Sequence, residues 1–393
     1  MHQPQDLRRA ISIALLAECG LAEASTGDRM RNRYISFFAL VLLLAATVVA
    51  QPTLDVAQND PVDDLIEAEM HKQNIPGLSL AVIKDGQIIK AKGYGLANIK
   101  LRIQAKPETV YRIASVSKQF IATGIMLLVQ ESKLGLDDPI SKYLEGTPAT
   151  WKTITVRHLL THTSGIVREA PGFDPHKIQP DSNVIKTAYP LPLRFAPGEK
   201  WEYTNTGYFA LAEIIRKVSG QSWNEYLSKK VFGPSGMDTT YPTNTEVNVP
   251  NLAQGYVDND KLKNADYWLA LRPSGAFLSS VLDLSKWDAV LYTDKILNDS
   301  TRHQMWTPVK LNDGTYFPYG FGWELGSFRG HKLVHHGGGM TGFRAEFARF
   351  VDDRLTIIIL MNLDDVDKDS ILYGVAGFYL PVTARPGALN ALE

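Results

Sequence analysis

Ser115 and Lys118 stand three residues apart at the head of an apolar stretch, Ala114-Ser115-Val116-Ser117-Lys118-Gln119-Phe120, continued by Ile121, Ile125, Met126, Leu128 and Val129. At that spacing two side chains share one face of a helical turn. An alcohol in the first turn of a helix stands where free backbone N–H groups and the positive end of the dipole stabilise a developing alkoxide or oxyanion. A lysine whose stem begins inside a buried helix loses hydration, so its pKa falls and it can take the proton of a serine. The same spacing fits a capping serine followed by a lysine that reaches for solvent, so the pair alone leaves both readings open. A second group, Trp201-Glu202-Tyr203-Thr204-Asn205-Thr206-Gly207, offers a phenol as proton shuttle and an amide donor, or simply a turn in which Asn205 or Thr206 caps a helix. A third, His335-His336-Gly337-Gly338-Gly339-Met340-Thr341-Gly342, follows a strand-like run, and its glycines let a ligand or another backbone approach closely.

These groups need elements to hold them. Leu65, Ile66 and Met70 recur at helical spacing over Val62 to Gln73. Leu78 to Ile83 and Gln87 to Lys92 are β-rich runs joined through Lys84-Asp85-Gly86, a hairpin signal. Near the other end, Glu346 to Val351 and Leu355 to Met361 flank Asp352-Asp353-Arg354, and a closing helix is expected over Asp369 to Leu380. Strands at both ends of the chain most simply share one antiparallel sheet with helices packed on it. Between them lie helical patterns over Val116 to Ser132, around Val156 to His162, Gly207 to Ser219, Ser222 to Val231 and Leu282 to Leu291. Pro171 to Pro197 reads as a long surface loop. The fold class is therefore α+β: an antiparallel sheet from N- and C-terminal strands flanked by helices, plus a mainly helical region.

The 393 residues are 45% hydrophobic and 21% charged with a formal charge of -1, which leaves no electrostatic footprint for nucleic acid and points to a small-molecule or peptide ligand. Cys19 is the only cysteine, so a disulfide framework and a cysteine-ligated zinc site are excluded. Arg31 and Arg33 precede an apolar run, Ile35 to Ala50, that ends in small residues before Gln51. That is the pattern of a secretory signal, cleaved near 50/51, with translation starting at Met1 or Met30 and a retained anchor as the alternative. The expected product is secreted or periplasmic, with no membrane span in the mature chain.

Ser-x-x-Lys at 115, Tyr-Thr-Asn 88 positions later and His-Gly-Gly another 133 positions on resemble the three motifs of the serine β-lactamase and penicillin-binding-protein superfamily. The flanks Val110-Tyr111-Arg112-Ile113-Ala114, Leu136-Asp137-Asp138-Pro139, Leu159-Leu160-Thr161-His162-Thr163-Ser164-Gly165 and Pro197-Gly198-Glu199 resemble its class C β-lactamase-related branch. The likeness runs from about Val62 to about Leu380. It implies a β-lactamase-like fold as one hydrolase domain over 51–393, after an extension and signal over 1–50. Within that domain an α/β part would span about 51–125 and 275–393, and a mainly helical part about 126–274. It further implies Ser115 as nucleophile, Lys118 and Tyr203 as the proton-transfer pair, and Asn205 on the acyl portion of the substrate. His336 and Gly338 would belong to the substrate-binding third motif, and the N–H groups of Ser115 and Gly339 to an oxyanion hole. The superfamily usually has a lysine where this chain has His336, and a neutral imidazole does not bind a carboxylate as a cation does. Esters or amides without a free carboxylate are expected to be favoured. A D-amino-acid peptidase and a weak β-lactamase are the enzymatic alternatives, and a non-catalytic cell-wall-fragment sensor is the alternative of another class.

Other motifs fail on inspection. No Gly-x-Ser-x-Gly elbow is present, and Gly337-x-Gly339-x-x-Gly342 is followed by a strand-like segment, Phe343 to Phe350, where a dinucleotide fingerprint needs a helix. His158 and His162 have the spacing of a zinc protease, but Leu159 stands where its glutamate belongs. No metal and no cofactor are expected. Oligomeric state is not legible.

Overall fold

The computed structural model describes residues 60–243, 249–258, 261–266, 268 and 272–382; the extension and signal expected over 1–50 lie outside them. Asp60 accepts the Val62 N–H at 2.9 Å and Pro61 opens the first turn, which starts helix α1, Pro61–Lys72. Strands β1, Gly77–Lys84, and β2, Gln87–Asn98, follow. Their turn holds Asp85 at φ 53° and Gly86 at φ 79°, the two positive values a tight hairpin turn requires. β2 runs six residues beyond its expected end at Lys92. The extension pairs with β1 as far as Gly95 and then with a short outer strand, β3, Ile103–Gln104. Exposure along this edge blurs the apolar alternation that would have marked it.

The remaining strands come from the other end of the chain: β4, Glu324–Phe328, β5, His331–Met340, β6, Phe343–Phe350, and β7, Leu355–Met361. They form one antiparallel sheet in the order β4-β5-β6-β7-β1-β2-β3, closed at its centre by Leu78 opposite Met361. β5 continues through the glycines, pairing Gly337 with Glu346, Gly338 with Ala345 and Gly339 with Arg344. The glycines lie beyond the strand-like run read from the sequence, because glycine is a poor strand former. The ladder to β6 supplies what propensity does not.

One face of the sheet packs on α1 and the closing helix, α7, Lys368–Tyr379, through Val62, Ile66, Ile371, Leu372 and Val375 against Leu80, Val82, Ile357 and Ile359. Ala81, Ile83, Phe347, Ile358 and Leu360 of the other face share one core with the central helix, α2, Lys118–Gln130, in which every residue from Lys118 to Leu128 is buried. A helix apolar on all sides must be surrounded. Around α2 lie α3, Val156–Leu160, α5, Thr206–Ser219, and α6, Val281–Val290, while the expected helix over Ser222 to Val231 is a short α-helix, Trp223–Leu227, that widens into a π turn, Ser228–Phe232. The proline-rich stretch is not all loop: α4, Asp181–Lys186, buries Val184 and Ile185.

Candidate active site

Ser115 sits in a 3-10 turn, Ala114–Ser117, that leads into α2. Ala114 is held at φ 47°, a conformation that a residue with a side chain avoids at roughly 1 kcal/mol or more. Hydrogen bonds on both sides keep it there, from Ile113 N–H to Phe277 O at 3.1 Å and from Val116 N–H to Ile113 O at 3.1 Å. Strand β5 comes against the same segment: a Cβ on Gly338 would lie 2.2 Å from the Ile113 carbonyl oxygen. Only glycine permits that approach.

Lys118 is fully buried, and its Nζ has three oxygen neighbours: Asn205 Oδ1 at 2.9 Å, the Ser274 carbonyl at 2.8 Å and Ser115 Oγ at 3.3 Å. Burial, reinforced by the charge of Arg272, holds its pKa well below the ordinary lysine value. Ser115 lies beside the Tyr203 hydroxyl, and burial pushes the phenol pKa up, so it keeps its proton. The ammonium or amine of Lys118 lies 4.6 Å from the Tyr203 ring centroid and 5.1 Å from that of Tyr208. Asn205 completes a closed circuit around the lysine. Its Nδ2 donates to Glu169, Glu169 pairs with Arg272, Arg272 Nε donates to Ser274 Oγ at 2.9 Å, and the Ser274 carbonyl accepts from Lys118.

A cavity of about 180 Å³ opens beside Ser115, lined by Tyr203, Asn205, Gly339 and Met340 from the motifs, and by Arg112, Arg168, Glu169, Trp268 and Arg272 from elsewhere. His336 is not among its lining residues. It is 1% exposed beneath the strand, and burial, with the nearby Lys118, lowers its pKa to about 3, so the ring is neutral. Its Nδ1 faces the Gly337 carbonyl at 2.7 Å, which fixes a proton on that nitrogen and leaves Nε2 to accept from the Tyr319 hydroxyl at 3.0 Å. The Tyr319 oxygen in turn accepts from His162 Nε2 at 3.1 Å, because His162 Nδ1 already accepts the Thr204 N–H at 3.2 Å. A single direction of donation thus links the backbone beside Tyr203 to the backbone of β5, through three uncharged rings.

The structure brings Ser115, Lys118, Tyr203, Asn205 and Gly339 together. Gly338 lies behind them against Ile113, and His336 lies deeper still. Sequence reasoning did not single out Arg168, Glu169, Arg272, Tyr319 or the role of His162. Arg168 and Glu169 follow the Thr-His-Thr-Ser-Gly run, but nothing local to them indicates a site. His336 does not line the cavity, whereas the guanidinium groups of Arg112, Arg168 and Arg272, from other elements, do.

Comparison with known proteins agrees with this geometry. Residues 62–376 match the Beta-lactamase family. Penicillin-binding protein 4* of Bacillus subtilis is 32% identical over 323 residues, which cover 77% of this chain and 71% of that protein. The structure of an octameric penicillin-binding protein homologue from Pyrococcus abyssi superposes with a TM-score of 0.73 at 31% identity, over 81% of this chain and 77% of that one. A D-amino acid amidase from Ochrobactrum anthropi, solved with D-phenylalanine, shares the fold at a TM-score of 0.70 and 23% identity, over 81% of this chain and 100% of its own. The chain belongs to the beta-lactamase family and is a serine hydrolase of the β-lactamase and penicillin-binding-protein superfamily.

Proposed function

We propose that the enzyme cleaves carboxylic esters or amides through an acyl-enzyme on Ser115. The observation that carries the reading is the surroundings of Lys118 Nζ. A neutral amine has two N–H bonds and one lone pair, and acceptors at 2.9 and 2.8 Å take the two N–H bonds. The lone pair is then left for the Ser115 hydroxyl at 3.3 Å, the arrangement a general base needs. Ser115 Oγ attacks the carbonyl as its proton passes to Lys118. The N–H groups of Ser115 and Gly339 receive the oxyanion, and Tyr203, still a phenol, passes a proton to the departing oxygen or nitrogen. Water then hydrolyses the acyl-enzyme by the reverse proton path.

The amide arm draws support from the amidase-like fold, and D-amino-acid amides or peptides are its first substrates to test. The same reading has the protein exported under the signal ending near Ala50. A fluorophosphonate probe is expected to label Ser115 stoichiometrically, and Ser115→Ala is expected to abolish turnover of short-chain esters and D-amino-acid amides. Labelling and turnover that persist in the variant would remove Ser115 from the mechanism.

A further inference from the structure

His162 holds the main chain on both sides of Tyr203. Its carbonyl accepts the N–H of Glu202 at 3.0 Å, and its ring Nδ1 accepts that of Thr204 at 3.2 Å. The imidazole then lies along the phenol, 4.4 Å from the Tyr203 ring centroid and inclined to it by 36°. To reach that place His162 takes up φ 61°, a left-handed conformation that a residue with a side chain adopts at a cost. A ring that only filled space would need neither that backbone nor a lone pair aimed at one N–H.

This clasp works in one tautomer. Nδ1 accepts from Thr204 only as a bare nitrogen, so the proton of the neutral ring stands on Nε2. A buried Nε2–H needs an acceptor, and the Tyr319 hydroxyl lies 3.1 Å away. Tyr319 accepts there without conflict, because its own hydrogen goes to His336 Nε2 at 3.0 Å. Tyr208, the other phenol packed on His162, donates to the Leu160 carbonyl at 3.3 Å. His162, Tyr319 and His336 are each at most 1% exposed, so bulk water cannot stand in for a lost partner.

We propose that Tyr319 is a positioning residue for Tyr203: its hydroxyl fixes the tautomer of His162, and His162 in that tautomer aims the phenol at the departing group. This rests on the reading of Tyr203 as proton donor to the leaving group. Tyr319 is not among the residues that line the cavity, so its effect reaches the reaction only through the groups it holds.

Leaving groups of different basicity separate this task from packing. 4-Nitrophenolate departs as an anion, whereas ethoxide, a far stronger base, departs only with a proton. Tyr319→Phe removes one oxygen and keeps the ring. It is expected to lower kcat/KM for ethyl butanoate at least about tenfold more than for 4-nitrophenyl butanoate. In a Tyr203→Phe background the same change is expected to add little for the ethyl ester, since the residue it aims has lost its proton. Damage to packing, or to the Gly339 side of the oxyanion hole by way of His336, would slow both esters alike. Equal losses therefore overturn the proposal, as does a full additional loss in the Tyr203→Phe background. Nitrogen-15 spectra of the histidine rings, assigned with His162→Gln and His336→Gln, give an answer without turnover and even where Tyr319→Phe fails to fold. In the wild-type protein His162 is expected as the Nε2–H tautomer and His336 as the Nδ1–H tautomer, and a proton on Nδ1 of His162 overturns the proposal. The expected tautomers in a wild-type protein that hydrolyses neither ester would overturn only the hydrolase reading.

Discussion

Lys118 combines full burial with a polar task, and its protonation state is therefore written into the stability of the protein. Its folded pKa lies below the unfolded value, so between the two the unfolded chain binds a proton that the folded chain does not. Stability rises with pH across that window and is lost towards acid. Measured against Lys118→Met, which removes the group, the wild-type protein is expected to gain up to about 1.4 kcal/mol per pH unit as pH is raised from 7 towards 10. Urea unfolding at pH 7, 8.5 and 9.5 reads this difference, and a flat one would mean the lysine is protonated when folded. Activity follows the same group, with kcat/KM falling as pH drops through the folded pKa and the base is protonated. His336 contributes nothing to that limb. Its pKa of about 3 lies below the working range, so it stays a neutral link to Tyr319.

Strand β5 does at the scale of an element what no single residue does: it carries the Gly339 edge of the cavity and presses on the turn that presents Ser115. Its three glycines are not equivalent. A Cβ on Gly338 would meet the Ile113 backbone at 2.2 Å, whereas one on Gly337 would meet the end of the Lys368 side chain at 2.7 Å and Glu346 Oε2 at 3.0 Å. Backbone cannot yield as a lysine terminus can. Gly338→Ala is expected to displace the strand from the nucleophile and lower kcat/KM by about a hundredfold, the scale of an ångström-sized misplacement, with Gly337→Ala costing far less. Steady-state kinetics on the two variants, each checked for folding by circular dichroism, decides it. Equal losses would show that strand flexibility, not the Ile113 contact, is what the glycines provide. The far face of β5 is anchored by ions: Glu346, fully buried, is met by His335 Nδ1 at 2.9 Å and Lys368 Nζ at 2.7 Å. A buried carboxylate so paired is costly to disrupt from one side, which keeps the strand in register.

Over the whole molecule, strands from both ends of the described chain meet at the β1–β7 seam, and the helices between them enclose α2. Pairings so distant in sequence make folding slow, because loop closure precedes any contact that rewards it. Intact-mass measurement of exported protein is expected to show a first residue at or within a few positions of Gln51. A mass that retains Ile35 to Ala50 would instead indicate an anchor.

The residues of the three motifs were legible in the sequence because each carries a local signature: Ser115 and Lys118 by helical spacing, Tyr203 and Asn205 by their place before a helix, and the glycines by what they permit. Helices and the buried strands were legible by periodicity, and the antiparallel α+β class followed from them. What the tertiary structure alone decided is how groups distant in the chain combine. Arg272 and Glu169 are 103 residues apart and Lys118 and Ser274 are 156 apart, yet they close one hydrogen-bonded circuit. Burial, which sets the charge of Lys118 and His336, is a property of everything packed around a side chain and leaves no mark on its own position in the sequence. The cavity's lining has the same origin: Arg112, Arg168 and Arg272 come from separate segments and meet around Ser115 only in the fold.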